Sequence, residues 1–301
     1  MWLNPIVKKD VKVQSRSMKI CFGVLVYELI LALVFFFAMF IIQENNTYYS
    51  DNIYSELVGL YPVLAITQFV ILGVIVPVRT ASSISGERER QTFDIMMTTG
   101  MTPFSVVTGK VMTAIVQSML FIAASLPIMA LSFVVGGMSW SYLFWFFAIA
   151  LLISIFSASI GILCSCLCKK SVSAVIMSYV FYLIFFIGTL VPSILYEIYR
   201  INYWYNGSAV QNGYSYGENI VLTLLINPAV YLAEFVALVM TGESIWDSSF
   251  DMAGARGPIR FLADGNRWII ASTILFMAVS FLFLWLAARR IDPTRKRMKR
   301  R

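Results

Sequence analysis

The densest group of chemically active side chains is the charged run at residues 87–90, which reads Glu-Arg-Glu-Arg. Alternating carboxylates and guanidinium groups are too costly for the hydrocarbon of a bilayer, so we expect the run to lie in water. Behind it, Thr92 suits the N-cap of a short helix, Asp94 its first turn and Gly100 its left-handed end. The next helix is predicted to begin at once, with Thr102 as its cap and Pro103 at its first position.

The short helix predicted after Thr92 carries three large apolar side chains, Phe93, Met96 and Met97. We expect these side chains to be available to a partner. A short helix between two membrane spans, with readable ends and an apolar face, is typical of an element that receives a mechanical push.

Glu28 is the only acidic residue well inside a regular apolar segment. Ionisable groups at such positions are expensive and by default indicate a function, here ion coupling or contact with a substrate. The alternative is structural: a hydrogen bond to Gln68 or Gln117 on another helix, or a carboxyl that stays protonated.

The sequence contains little that indicates a metal site or redox chemistry. The chain has no histidine, which excludes His-based zinc sites and Ser-His-Asp triads. Cys164, Cys166 and Cys168 alternate along a predicted helix, so neighbouring thiols point to different faces and no fourth ligand is near. We expect no metal site and interpret the three thiols as small apolar groups.

A nucleotide site is also not expected. Gly109-Lys110 looks like the end of a P-loop, but that motif needs a glycine at 104 and a Ser or Thr at 111, where Phe104 and Val111 stand. If ATP drives this protein, another polypeptide must bind it. We therefore predict no enzyme activity and no cofactor in this chain, with ATP and magnesium on a partner.

Composition places these residues in a membrane protein, because 59% of the 301 residues are hydrophobic and only 13% are charged. The predicted fold is all-α, with one permease domain over 1–301. Six apolar segments are long enough to span a bilayer. They are Ile20–Ile42, Leu57–Val78, Phe104–Val135, a fourth that ends near Leu167, Ala174–Tyr196 and Trp268–Ala288.

The remaining segments have distinct characters. Residues 1–19 predict an amphipathic helix at the interface, with Leu3, Val7, Val11 and Met18 on one face. Residues 197–267 form an outer insertion, in which Asn227-Pro228 and Glu234 interrupt an apolar stretch and favour half-helices or a re-entrant pair over a seventh span. Residues 289–301 are a basic tail, for which contact with anionic lipid is a better interpretation than nucleic-acid binding.

Charge decides the predicted orientation. Nineteen of the 23 lysines and arginines fall in the N-terminal segment, the 79–110 stretch, Lys169-Lys170 and the tail. The positive-inside rule places these segments, and with them both termini, in the cytoplasm. We expect a multi-pass protein of a prokaryotic plasma membrane.

The stretch from Ser85 to Asp94 (SGERERQTFD), followed by Thr98 to Pro103 (TTGMTP) and closed by Gly109-Lys110, resembles the signature of ABC type-2 (type V fold) exporter permeases. In that family a GE(K/R)E-x-x-T-hydrophobic-(E/D) run forms the coupling helix that docks on a separate ATPase. Asn4-Pro5, Lys9-Asp10 and Arg16 also resemble the family's N-P…K-E…R opening, with Asp10 in place of the usual Glu.

The resemblance implies a subunit of an ATP-driven exporter that works with a P-loop ATPase and a second permease, as a homo- or heterodimer. It assigns ATPase coupling to residues around the motif, and charge reversal at two of them, Glu87 and Glu89, is expected to uncouple transport without affecting insertion. The coupling set is Glu87, Arg88, Glu89, Thr92, Phe93, Asp94 and Met97.

The family's substrate path lies between spans two and five of facing protomers. Here it would carry a hydrophobic or amphipathic drug, peptide or lipid, with the outer insertion as a lid. The residues expected along it are Glu28, Gln68, Phe69, Tyr179, Tyr182 and Phe186. Two other classes stay open: an ion-coupled secondary carrier that depends on Glu28, and a permease-like scaffold or sensor that transports nothing.

Overall fold

A computed structural model describes residues 5–49, 57–98, 101–136, 139–205, 218–246, 261–262 and 266–291. These residues form helices and contain no strand, as predicted. The helices, in chain order, are α1 Pro5–Ser15, α2 Met18–Tyr49, α3 Leu60–Glu89, α4 Thr92–Thr98, α5 Pro103–Val135, α6 Trp140–Leu167, α7 Ser171–Tyr205, a 3-10 helix Glu218–Ile226, α8 Pro228–Thr241 and α9 Arg267–Ile291.

Six helices in the described part of the chain are long and apolar enough to cross a membrane: α2, α3, α5, α6, α7 and α9. The prediction of six spans is therefore confirmed. One boundary differs in a way that matters. The second span does not end in a loop at Arg79, because α3 continues as one helix to Glu89 and carries most of the charged run on its last turn.

Local signals set several helix ends. The Thr102 hydroxyl accepts a hydrogen bond from the Ser105 amide at 3.3 Å, and Pro103 opens α5, as predicted. Thr92 does not cap α4, because the helix begins at Thr92 itself. Met18 does not share a face with Val7, since α1 ends at Ser15 and Met18 begins α2. The predicted helix end at Gly100 lies outside the described residues.

The helices fall into two compact units, of which the first contains α1 to α6, the beginning of α7 and the end of α9. Its central helix is α6. In the most apolar window of α6, 78% of the residues are buried, against 39% or less in the other spans. Small residues at 157, 161 and 165 allow this, since a side chain on Gly161 would collide with that of Thr80 on α3.

Polar groups inside the first unit bond across these close contacts. The Ser165 hydroxyl on α6 accepts hydrogen bonds from the amides of Ile84 and Ser85 on α3, both at 2.9 Å. Nearer the other end of α3, the Ser125 hydroxyl donates to Gln68 Oε1 at 3.1 Å. These bonds join α3 to α5 and α6, so the three helices form one packed group.

The second unit spans Val180–Ala278 and contains the predicted break at Asn227. Here the 3-10 helix and α8 meet at 88°. Asn227 fixes the corner: its Oδ1 accepts from the Ala229 amide at 2.9 Å, and its Nδ2 donates to the Phe186 carbonyl at 2.9 Å. Glu234 on α8 is fully buried, and its carboxylate accepts from the Ser244 hydroxyl at 2.5 Å. That bond accounts for an acid within an apolar helix.

Candidate coupling site

The candidate site begins at the end of α3, where the chain turns sharply into α4. The Arg90 amide donates to the Gly86 carbonyl at 3.1 Å, the Gln91 amide to the Arg88 carbonyl at 3.1 Å, and Gln91 takes a positive φ of 58°. Non-glycine residues adopt this left-handed conformation infrequently, which marks the turn as one held by its surroundings. Three consecutive residues just before it, Glu87 to Glu89, provide these surroundings. We call them the 87–89 triplet.

Glu87 joins α3 to two other helices through a lysine. Lys110 Nζ on α5 lies 2.6 Å from Glu87 Oε1 and 2.8 Å from Asp10 Oδ2 on α1. The lysine side chain is 7% exposed, and the two carboxylates are about one-fifth exposed. Charge-assisted hydrogen bonds in such a partly dry position are stronger than those between exposed ions. The N-terminal helix is therefore tied to the charged run through Lys110.

Arg88 reaches the end of α6. Its Nη1 donates to the Cys166 carbonyl at 2.9 Å and to the Cys168 carbonyl at 3.3 Å. These carbonyls belong to the last turn of α6, where helix geometry leaves acceptors without partners and the helix dipole favours a cation. The guanidinium group also lies 5.1 Å from the centre of the Phe93 ring on α4. Arg88 thus contacts both the central helix and the short helix.

Glu89 completes the triplet at the start of α7. Its Oε1 accepts from the Ser171 amide at 3.0 Å, and its Oε2 accepts from the Ser171 hydroxyl at 2.6 Å. A carboxylate at a helix N-terminus satisfies free amides and suits the dipole. Each residue of the triplet therefore binds a different element: α5 with α1, α6, and α7.

The short helix α4 turns Phe93 inward, opposite to the prediction for that side chain. Phe93 is only 8% exposed and packs in a cluster with residues of α3, α5, α6 and the end of α9, and Met96 and Met97 pack against it. The expectation that these three side chains are available to a partner is wrong for Phe93, because its ring is buried in the packed core, whereas Met96 and Met97 are partly buried. The apolar side chain that α4 exposes is Ile95, at 66%.

Two further residues of the predicted coupling set need separate mention. Thr92 is exposed, and its hydroxyl donates to the Glu87 carbonyl at 3.2 Å, so it bonds to the last turn of α3. The side chain of Asp94 lies outside the described part of the structure.

The residues predicted for the substrate path are not all alike in accessibility. Gln68 is fully buried against Ser125, whereas Phe186 is 40% exposed. The Tyr179 hydroxyl donates to the Val74 carbonyl on α3 at 2.8 Å. Phe69 and Tyr182 are partly buried.

Glu28 is partly buried as well, and its Oε1 has no hydrogen-bond partner among the described residues. Glu28 Oε1 therefore does not form the bond to Gln68 or Gln117 that was the structural alternative for this carboxyl group.

Four residues of the site were absent from the predicted set: Asp10, Lys110, Ser165 and Ser171. Two of them could have been identified from the sequence, since Asp10 belongs to the N-terminal pattern and Lys110 closes the motif. An acid and a base that both belong to one family pattern are candidates for an ion pair. The two serines could not have been identified in this way, because serine is common at helix ends and along helix contacts.

Comparison with known protein families agrees with the motif. The family model for ABC-2 type transporters matches residues 5–207, about two-thirds of the chain, and this range includes α1, the 87–89 triplet and α4. Among curated proteins, none matches the chain. With its six apolar helices it is a multi-pass membrane protein, and members of this family partner with an ATP-binding cassette ATPase subunit. The chain belongs to the ABC-2 type transporter family, the membrane permeases of ABC transporters.

Proposed function

We propose that the chain is the permease subunit of an ATP-driven exporter that moves a hydrophobic or amphipathic substrate out of the cell. The observation that carries this is the position of α4. A short helix whose Phe93 packs against four other helices cannot move without moving them. A force applied to α4 would therefore reach α3, α5, α6 and the end of α9 together.

The ATPase would contact the outer face of the α3–α4 turn. Arg90, Gln91, Thr92 and Ile95 are exposed there, and they offer one charge, two polar groups and one apolar side chain. Protein interfaces commonly combine an apolar anchor with a polar rim. In this arrangement ATP and magnesium bind to the partner, and the 87–89 triplet transmits the movement within the permease.

The N-terminal helix would move with the same assembly. α1 packs on α5, its Val7 is buried, and Asp10 bonds to Lys110. These contacts favour a connecting helix beside the ATPase over a plain lipid anchor, because an anchor needs no buried ion pair. Both termini would then lie in the cytoplasm, in accord with the distribution of lysine and arginine.

Transport would require a second permease copy or a related chain. The spans α2, α7 and α9 bury 22% or less of their most apolar windows, so they offer apolar surface to lipid or to another subunit. The proposed path, between the second and fifth spans of facing protomers, would include exposed aromatic side chains such as Phe186. The outer insertion, residues 197–267, with its corner at Asn227, would act as the lid.

The proposal is tested by purifying the tagged chain from its native membrane in mild detergent and identifying what accompanies it by mass spectrometry. We expect a P-loop ATPase in equal amount, and either one permease species or two. Recovery of this chain alone, under conditions that preserve other ABC complexes, would contradict the proposal.

A second candidate function, an ion-coupled carrier, rests on one observation. Glu28 carries a buried carboxyl oxygen without a hydrogen-bond partner in the described residues. A carrier of this kind would transport without ATP and would need that carboxyl. Transport by purified chain in vesicles, driven by an ion gradient alone, would favour it.

A further inference from the structure

A cavity of about 590 Å³ lies beside the 87–89 triplet within the first unit. Side chains of α1, α3, α5 and the start of α7 line it. Its walls include many charged side chains for a space next to membrane spans, since four basic and three acidic residues contribute to them. The coupling contacts described above involve only part of this lining, and Arg79 takes no part in them.

The charges are unevenly distributed along the cavity. Its acids are at the end near the triplet: Glu87 and Asp10 both bond to Lys110, and Glu89 lies one half-turn further along. Arg79 lies eight residues before Glu87 on the same helix, which at the rise of an α-helix is about 12 Å away. The end of the cavity at Arg79 is therefore separated from Glu87 and Glu89, and no described acid lies within ion-pair distance of Arg79.

The guanidinium group of Arg79 makes no ion pair and no hydrogen bond with any residue that the structure describes, although the Arg79 carbonyl accepts from Ser82 Oγ at 3.1 Å. Its guanidinium group lies 5.8 Å from the centre of the Phe121 ring, at the outer limit of a cation–π contact. Thr80, Ser83 and Gln117 line the same cavity. An arginine with free donors in a polar cavity is suited to a planar, oxygen-rich anion, and phosphate is the one that arginine binds best.

The surroundings of this end favour a lipid as the source of the phosphate. Arg79 follows directly on the apolar stretch that ends at Val78, and a basic residue at the end of such a stretch is expected to reach the lipid headgroups. Val13 lines the cavity and is 62% exposed, and three residues next in sequence to lining residues are exposed as well: Val78 at 39%, Met112 at 55% and Val116 at 41%. A soluble phosphate has no use for such surfaces, whereas acyl chains would cover them.

We propose that this cavity binds a membrane phospholipid, with its phosphate on Arg79 and its acyl chains against the neighbouring apolar side chains. This lipid would belong to the cytoplasmic leaflet. That placement rests on the orientation given under the proposed function. The lipid would fill the space between α1, α3 and α5 and would thereby support the coupling contacts from the membrane side. It is a resident ligand and not the transported substrate.

The test measures phospholipid that stays with the full-length chain through purification in mild detergent, by native mass spectrometry and by phosphorus analysis. We expect about one tightly held phospholipid per chain, and a loss of about tenfold in its affinity in Arg79→Gln. Arg90→Gln is the matched control, because it removes the same charge from the exposed end of the same cavity. Arg79→Lys should retain the lipid more weakly than the native chain, and it replaces Arg79→Gln if that variant does not fold.

Three results would overturn the proposal. The first is equal retention in the native chain and in Arg79→Gln, or in Arg79→Lys where that variant takes its place. The second is displacement of the lipid by excess inorganic phosphate, which would mean that a soluble anion suffices. The third is equal retention of diacylglycerol, which has the acyl chains without the phosphate. None of these measurements depends on an ATPase partner, so the lipid site and the exporter assignment can fail separately.

Discussion

Lys110 Nζ lies 2.6 Å from Glu87 Oε1, and this contact joins two residues that are 23 positions apart in one family motif. The same ammonium group also bonds to Asp10, so one cation balances two carboxylates. Removal of the lysine would leave both acids without their partner, whereas removal of one acid would leave the lysine paired with the other. This asymmetry gives the first prediction.

Lys110→Met is expected to destabilise the permease more than either Glu87→Gln or Asp10→Asn. We expect a cost on the order of 3 kcal/mol for the lysine variant, since partly buried charges would lose their partner, and clearly less for each acid variant. Thermal unfolding of the purified proteins in one detergent measures the order. Lys9→Met, at an exposed position of α1, is the control. An acid variant as unstable as Lys110→Met would contradict the shared ion pair.

The two faces of α4 can be separated by two alanine variants. Phe93→Ala is expected to lower permease stability by about 3 kcal/mol, because it leaves a cavity in a packed cluster. Ile95→Ala should leave stability unchanged, as its side chain is largely exposed, and should weaken binding of the ATPase subunit. Thermal unfolding and co-purification of the ATPase provide the two readouts. If Ile95→Ala binds the ATPase normally, the outer face of α4 is not the contact.

The close contact of α3 with α6 can be tested by adding one methyl group at Gly161. Gly161→Ala is expected to cost about 2 kcal/mol, the usual range for overpacking, because the added carbon would collide with Thr80. Thr80→Ala in the same chain should recover part of that loss. Gly188→Ala serves as the control, since a carbon there would meet only Ile184 Cγ2 at 3.7 Å. Equal stability of Gly161→Ala and the native chain would contradict the contact.

Glu28→Gln distinguishes the two candidate functions. If the chain is an ATP-driven permease, the variant should retain ATP-driven transport and should assemble normally, because a residue on the substrate path need not titrate. If the chain is an ion-coupled carrier, loss of the titratable carboxyl should abolish transport. Uptake of the native chain and of the variant into inside-out vesicles is measured twice, with ATP alone and with an ion gradient alone. Gln117→Ala provides a control for a change in polarity at a nearby level of the membrane.

Sequence was sufficient for features that depend on local signals. Span number follows from apolar length, the start of α5 from Thr102-Pro103, and the corner before α8 from Asn227-Pro228. Each of these signals acts within a few residues of its effect. Sequence analysis of the motif also placed Glu87, Arg88 and Glu89 in the coupling set, although the partners of these three side chains required the structure.

The orientation of α4 could not be predicted in the same way. A helix of seven residues has fewer than two turns, so its apolar residues do not define one face. Phe93 is buried because Arg88, Val107 and the end of α9 surround it, and those contacts come from distant parts of the chain. The central position of α6 could not be predicted from sequence either, since its composition is as apolar as that of spans with much more exposed surface.

Because the side chains of the 87–89 triplet bond to three separate elements, the number of residues of α3 between Thr80 and the triplet is fixed. Successive residues of an α-helix are rotated by about 100° about its axis. One residue inserted or deleted between Thr80 and Glu87 would therefore turn all three side chains away from Lys110, Cys166 and Ser171 together. A substitution at one of these positions removes one contact, but an insertion or deletion would remove all three contacts in one step. Natural length variation should accordingly be confined to other segments of the chain.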